Sequence, residues 1–240
     1  MEPLQPLPEN LVETRLALHR LAAYVIAPVR YAATERFGLR ATQNGFGTPP
    51  FDGRRIRVEG AELIDERGDD ASRSAITSLG AAAAFLDSAV DPETAAEHDS
   101  PAAGDMEADL GIDAAASLWL GDWFNAAFEG LAAVAADDAS VDASEPQLWP
   151  GHFDPAIETG DENHRGSYGA SPGDDSIDEP YLYLSLWWPD RLDLDFEDPY
   201  WNAPSFKGAV LRASDFPQGS DPAEVAADFW RTARDNAAKG

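Results

Sequence analysis

The sequence predicts an α+β fold, a mainly antiparallel sheet of about five or six strands with helices packed on one face. Two segments, residues 10–37 and 113–136, repeat apolar side chains at helical spacing. Two others, residues 54–64 and 181–188, alternate with period two, as strands do. Turn-forming residues separate these segments.

The first helix opens at Asn10, where Glu13 three residues on completes a capping-box pattern. Leu11, Leu18, Leu21, Ala22, Val25 and Ile26 form its apolar stripe. Pro28 is expected to kink or split it, because proline has no N–H to give the preceding turn. Gly38 then stands where a helix end favours positive φ. GLRATQNG and RRIRVEGAELI read as two strands of a hairpin, with NGFGTPPFDG as the turn. In the second strand Ile56 and Val58 face one way, Arg55 and Arg57 the other. With Arg40 and Arg54 these arginines make either a solvated face balanced by acids or an anion-binding face. Asp70 is placed to cap a helix over residues 71–86. Residues 87–109 combine many acids with two prolines and few large apolar side chains, so they read as an acidic loop holding His98. In the second strong helix, Leu120, Trp123, Phe124, Ala127, Phe128, Leu131 and Val134 share a stripe, with Trp119 close by. That stripe is a core pattern.

The chain of 240 residues is expected to form one domain, with room for two lobes, residues 1–86 and 110–240, joined by the acidic loop. It carries no cysteine, which removes disulfides, thiolate nucleophiles and thiolate metal sites. No secretory leader or membrane-length apolar run is read, so a soluble cytoplasmic protein is expected. The net charge of −27 opposes nucleic acid and anionic membranes as partners. The charge is uneven, with ten arginines against eleven acids up to Arg73 and no Lys or Arg from Ser74 to His164. Such acidity fits either a high-GC or salt-adapted host or a surface for a basic partner.

The richest stretch runs from Gln147 to Trp188. Its start reads as a strand broken at Pro150 and Pro155. If residues 152–154 are extended, His152 and Asp154 point the same way below Trp149, and Phe153 points oppositely. A carboxylate beside an imidazole fixes its tautomer and raises its basicity. The pair reads as a structural tie, a ligand-orienting pair, or part of a two-histidine, one-carboxylate metal set with His164. RGSYGASPGDDSIDEP reads as a tight turn with solvated acids; the alternative is that Asp174, Asp175, Asp178 and Glu179 offer oxygen ligands to a calcium-sized ion, although their spacing is not that of an EF-hand loop. Pro180 opens the strand YLYLSLWW. Tyr181, Tyr183, Ser185 and Trp187 lie on one face and the leucines on the other, so the tyrosine face is a candidate ligand shelf. A last strand spans residues 207–213, and Asp221 with Pro222 opens a final helix carrying Val225, Phe229 and Trp230.

There is no internal repeat at solenoid spacing and no Walker, Rossmann or GxSxG pattern. Four segments, LHRLAAYVIAPVR, GLRATQNGFGTPPFDGRRIRVEG, WPGHFDPAI and SYGASPGD…EPYLYLSLWWP, resemble an uncharacterised bacterial family, best represented in actinobacteria, that is a domain of unknown function. The resemblance spans most of the chain. It implies one continuous architecture and no activity.

The leading expectation is a small-molecule cleft lined by Trp149, His152, Asp154, Tyr168, Tyr181, Tyr183 and Trp187. One alternative is a hydrolase-like enzyme, with His152 as general base oriented by Asp154 or with a bound divalent metal. The other is a structural or interaction protein with no site. Cofactor, ligand identity and oligomeric state do not follow from the sequence.

Overall fold

The computed structural model describes residues 1–98 and 100–240; Asp99, in the acidic segment, lies outside the described residues. The chain forms two compact units, each discontinuous in sequence. The first comprises Gln5–Asn125 with Leu148–Phe153, the second Met1–Leu4, Ala126–Gln147 and Asp154–Gly240. The α+β class and the antiparallel pairing hold, but the strands divide into two five-stranded sheets rather than one. Among the described residues no helix is long and apolar enough to cross a membrane.

In the first unit, helix α1 (Leu11–Leu21) passes through a π-helical turn (Ala22–Ile26) into α2 (Ala27–Thr34). Pro28 is the physical cause. Without an N–H it cannot bond the Tyr24 carbonyl. That carbonyl instead accepts the Asp91 N–H at 3.1 Å. The expected capping box does not form, since Asn10 makes no side-chain cap. Its amide donates to Asp113 at 3.2 Å. The left-handed residue that ends α2 is Glu35, not Gly38.

A five-strand meander follows: β1 (Arg40–Thr42), β2 (Gly45–Gly47), β3 (Arg54–Glu59), β4 (Glu62–Arg67) and β5 (Asp70–Ala75), paired in sequence order. RRIRVEGAELI is thus a hairpin rather than one strand, and residues 70–75 are its edge partner rather than the start of a helix. Every side chain of β5 is exposed or half-exposed, so no apolar period marks it. The arginines predicted as a patch are largely committed to neighbouring strands. Arg54 grips Asp65 bidentately at 2.7 and 2.9 Å. Arg55 and Arg57 share Glu66 at 2.6 and 2.8 Å, and Arg57 also reaches Glu59 at 2.8 Å. These ion pairs follow the reading of a face balanced by acids, each of the three arginines giving at least one donor to a carboxylate.

Helix α3 (Leu79–Phe85) is capped by Ser78, and α4 (Pro92–Ala96) by Asp91. Helix α5 (Ala114–Ala135) fulfils the expected second helix, opened by Asp113, whose Oδ1 accepts the Ala116 N–H at 2.9 Å. Its first half lies against the β1–β2 turn. Asn125 donates to the Thr42 carbonyl at 2.9 Å, and Gly121 meets the Gly45 backbone with no room for a side chain.

The turn at residues 150–153 ends the first unit. His19 holds it: Nε2 lies 3.0 Å from the Pro150 carbonyl and 2.9 Å from that of Gly151, so Nε2 carries the proton. The ring stacks on Phe153, which sits between Phe46 and Phe124. Burial pushes the His19 pKa down to about 4, opposed by the two carbonyls and reinforced to a smaller extent by His152 and Arg15. The folded state therefore favours neutral imidazole, while the unfolded chain binds a proton from about pH 6.5 downward. This contribution is fully present above pH 6.5 and is lost as pH falls to about 4, amounting to about 3 kcal/mol. Urea unfolding at pH 7.5 and pH 4.5 should show a larger loss for wild type than for His19→Gln. Equal losses would assign the acid sensitivity to the carboxylates alone.

The second sheet runs in the order β10 (Gly208–Arg212), β9 (Tyr181–Leu186), β8 (Gly166–Ser171), β7 (Asp154–Thr159), β6 (Gln147–Trp149). Helix α6 (Pro222–Ala237) starts as expected, with Asp221 accepting from the backbone of Ala223 and Glu224. Trp230 of α6 is fully buried and donates its indole N–H to the Tyr183 carbonyl at 3.1 Å.

Candidate functional site

Register in the second sheet decides which side chains meet. Gly169 pairs with Ala156 and Tyr183, while Tyr168 pairs with Ile157 and Leu184. Asp154, Gly169, Tyr181 and Tyr183 therefore share one face, and Tyr168 shares the other with the leucines. Tyr168 therefore does not share a hollow with Tyr181 and Tyr183 on this sheet.

On the tyrosine face, Tyr183 reaches across Gly169 and donates to buried Asp154 at 2.5 Å. Tyr181 donates to Asp174 at 2.5 Å. Burial, then the charge and hydrogen bond of Asp154, push the Tyr183 pKa far above its usual value. Burial and Asp174 do the same for Tyr181. Ile177, Val210, Ala203 and Phe206 pack around these rings. Both hydroxyls of the predicted shelf are thus engaged internally. Asp174 also accepts the Ser176 and Ile177 backbone N–H groups, and Glu179 meets Arg212 and the Ser214 N–H, so these acids organise the turn.

His152 is exposed in the 150–153 turn. Phe153 has φ 57°, so the extended backbone that would align His152 with Asp154 is absent. Trp149 and Trp187 are 40% and 39% exposed. The Trp187 indole N–H is tied to Ser167 at 2.9 Å, with Arg165 over its ring. Among the described residues no group of three or more His, Asp or Glu is placed to hold a metal, the expected set of His152, Asp154 and His164 included.

The leucine side of the sheet carries a pocket of about 190 Å³. Thr159 and Gly160 from the end of β7, Tyr168 from β8, Arg234 and Ala238 from the α6 end, Ala139 and Val141, and the Asp161–His164 turn line it. Asp161 nucleates that turn: its Oδ1 accepts the backbone N–H of Asn163 and of His164 at 2.9 Å each. The same oxygen lies 2.9 Å from His164 Nδ1, which places the proton there and leaves Nε2 as the other ring nitrogen. These bonds, led by the His164 backbone N–H, hold the Asp161 pKa down to about 2. Arg234 is fixed by Asp137 and Ser140, both at 3.1 Å.

Tyr168 is 1% exposed, and its hydroxyl has no hydrogen-bond partner among the described residues. Burial raises its pKa to about 12, so the phenol stays protonated. The sequence reading named Tyr168 but placed it with the wrong tyrosines, since one residue of strand parity separates the two faces. In the sequence His164 stands out only as a metal ligand with His152 and Asp154, and Asp161 does not stand out. The available signal was the Asp-x-x-His spacing within a turn, which occurs often without function. Comparison with protein-family models, with curated proteins and with solved structures found no match.

Proposed function

We propose that the second unit binds a small polar metabolite in the pocket walled by Tyr168, Thr159, His164 and Arg234. The carrying observation is Tyr168, a side chain 1% exposed that lines a cavity and whose hydroxyl bonds none of the described residues. An occupant that accepts its hydrogen bond would satisfy a donor that no described residue satisfies. At about 190 Å³ the pocket is below the roughly 300–1,000 Å³ of drug-sized sites, which favours a ligand of few heavy atoms. Of the residues expected at the site, Tyr168 is carried into this reading. The setting it fits is intracellular and cytoplasmic, which the lack of cysteine supports.

The test is a thermal-shift panel of small metabolites on wild type and Tyr168→Phe, since a ligand of the native state raises Tm. At least one compound should stabilise wild type by several degrees and lose most of that effect in Tyr168→Phe. Hits of equal size in both proteins would remove the pocket from consideration. No hit at all would favour a structural protein.

The Asp161–His164 pair supports a second reading, a hydrolase-like enzyme. An imidazole whose Nδ1 is held by a carboxylate presents Nε2 as a general base. Turnover abolished by His164→Ala, with ligand binding retained, would select this reading over binding alone.

A further inference from the structure

We infer that the ligand of this pocket is a small zwitterion of the α-amino acid type, with its carboxylate toward Tyr168 and Arg234 and its ammonium toward Asp161. This rests on the pocket proposed above and adds the ligand's chemical class. The Tyr168 hydroxyl, kept protonated by burial, is a donor that none of the described residues accepts. Arg234 lies close enough to act electrostatically on that phenol. Arg231 and Arg234 both bond the single carboxylate of Asp137, and their other acidic neighbours, Asp228 and Asp235, are 80% and 68% exposed at longer range. Arg234 gives Nη1 to Asp137 and Ser140 and Nε to Asp235, so Nη2 is the donor it has left for a ligand. A neutral phenol beside that guanidinium is a site for an oxyanion, and a carboxylate fits the two donors.

The mouth has the opposite character. All three bonds that shape the turn fall on Asp161 Oδ1, while Oδ2 accepts none of them. This side chain is 57% exposed, and with its pKa held near about 2 it stays ionised at any physiological pH. A carboxylate oxygen left over at the rim selects an ammonium. Ala139, Val141 and Ala238 also line the pocket and offer short apolar side chains. They suit a small aliphatic substituent and no further charge.

The experiment is calorimetric titration of the full chain with L-alanine, propionate and ethylamine, repeated on Asp161→Asn and Tyr168→Phe. Asparagine keeps the oxygen that the turn's backbone N–H groups need, so Asp161→Asn should fold. L-Alanine should bind wild type at least tenfold more tightly than either singly charged analogue. Asp161→Asn should bring alanine down to the level of propionate and leave propionate unchanged, whereas Tyr168→Phe should weaken both. Propionate binding as tightly as alanine, or alanine unaffected by Asp161→Asn, would overturn the zwitterion. If a phosphate or polyol from the metabolite panel binds through Tyr168 and alanine does not, the zwitterion falls and the pocket stands. If nothing in the panel binds, both fall.

Discussion

Gly121→Ala is expected to destabilise the first unit by about 3 kcal/mol or more, against a helix-propensity gain of about 1 kcal/mol for the same change. In an isolated helix alanine would win. Here a Cβ at 121 would stand 2.6 Å from the Gly45 nitrogen and 2.8 Å from the Asn44 carbon. Those atoms are backbone in a tight turn held to the helix through Asn125 and Thr42, so they cannot swing aside. Overpacking therefore exceeds propensity. Urea unfolding followed by tryptophan fluorescence reads the sign directly, because Trp119 and Trp123 lie on the same helix. An unchanged or raised midpoint would mean that helix and turn are not in this close approach.

Gly169→Ala should cost about 2–4 kcal/mol through a different route. A Cβ at 169 would fall 2.4 Å from the Tyr183 hydroxyl oxygen and 2.5 Å from the carbon that bears it. The ring must move, and buried Asp154 then loses the donor at 2.5 Å. Tyr183→Phe alone should cost about 2 kcal/mol, because it removes a hydrogen bond to a charged acceptor without crowding the sheet. In Tyr183→Phe the further Gly169→Ala change should be milder than in wild type, since no Tyr183–Asp154 bond remains to break. Strictly additive losses in this cycle would show that Gly169 is small for some reason other than the phenol above it.

These two glycines also mark where sequence reading stopped. The strand YLYLSLWW was legible because leucines alternate with tyrosine and serine along it, which separates an apolar face from one bearing hydroxyls. Its neighbour GSYGAS was not, since glycine and serine weaken a strand signal. The smallness of Gly169 is required by the Tyr183 side chain crossing from β9, a contact no local window contains. The edge strand at residues 70–75 buries neither face and so has no period to detect. The opposite failure occurred at residues 152–154, where a chemically attractive His-x-Asp spacing was read as extended. A single positive φ at Phe153 removes the alignment, and a bulky aromatic gives no sequence cue for that conformation. Helix α5 was legible almost to the residue, because its apolar repeat is long and uninterrupted. The candidate pocket was not, because it depends on which side of a sheet one tyrosine faces and on an Asp–His turn without large apolar markers.

Tyrosine-selective ¹³C NMR separates the two faces of the second sheet in one titration, with Tyr168 assigned through Tyr168→Phe. On addition of L-alanine, or of whichever metabolite raises Tm, the Tyr168 ring signal should move while those of Tyr181 and Tyr183 stay in place, their hydroxyls already bound to Asp174 and Asp154. Movement of the Tyr181 or Tyr183 signals with Tyr168 unchanged would put the ligand on the other face and contradict the site described here.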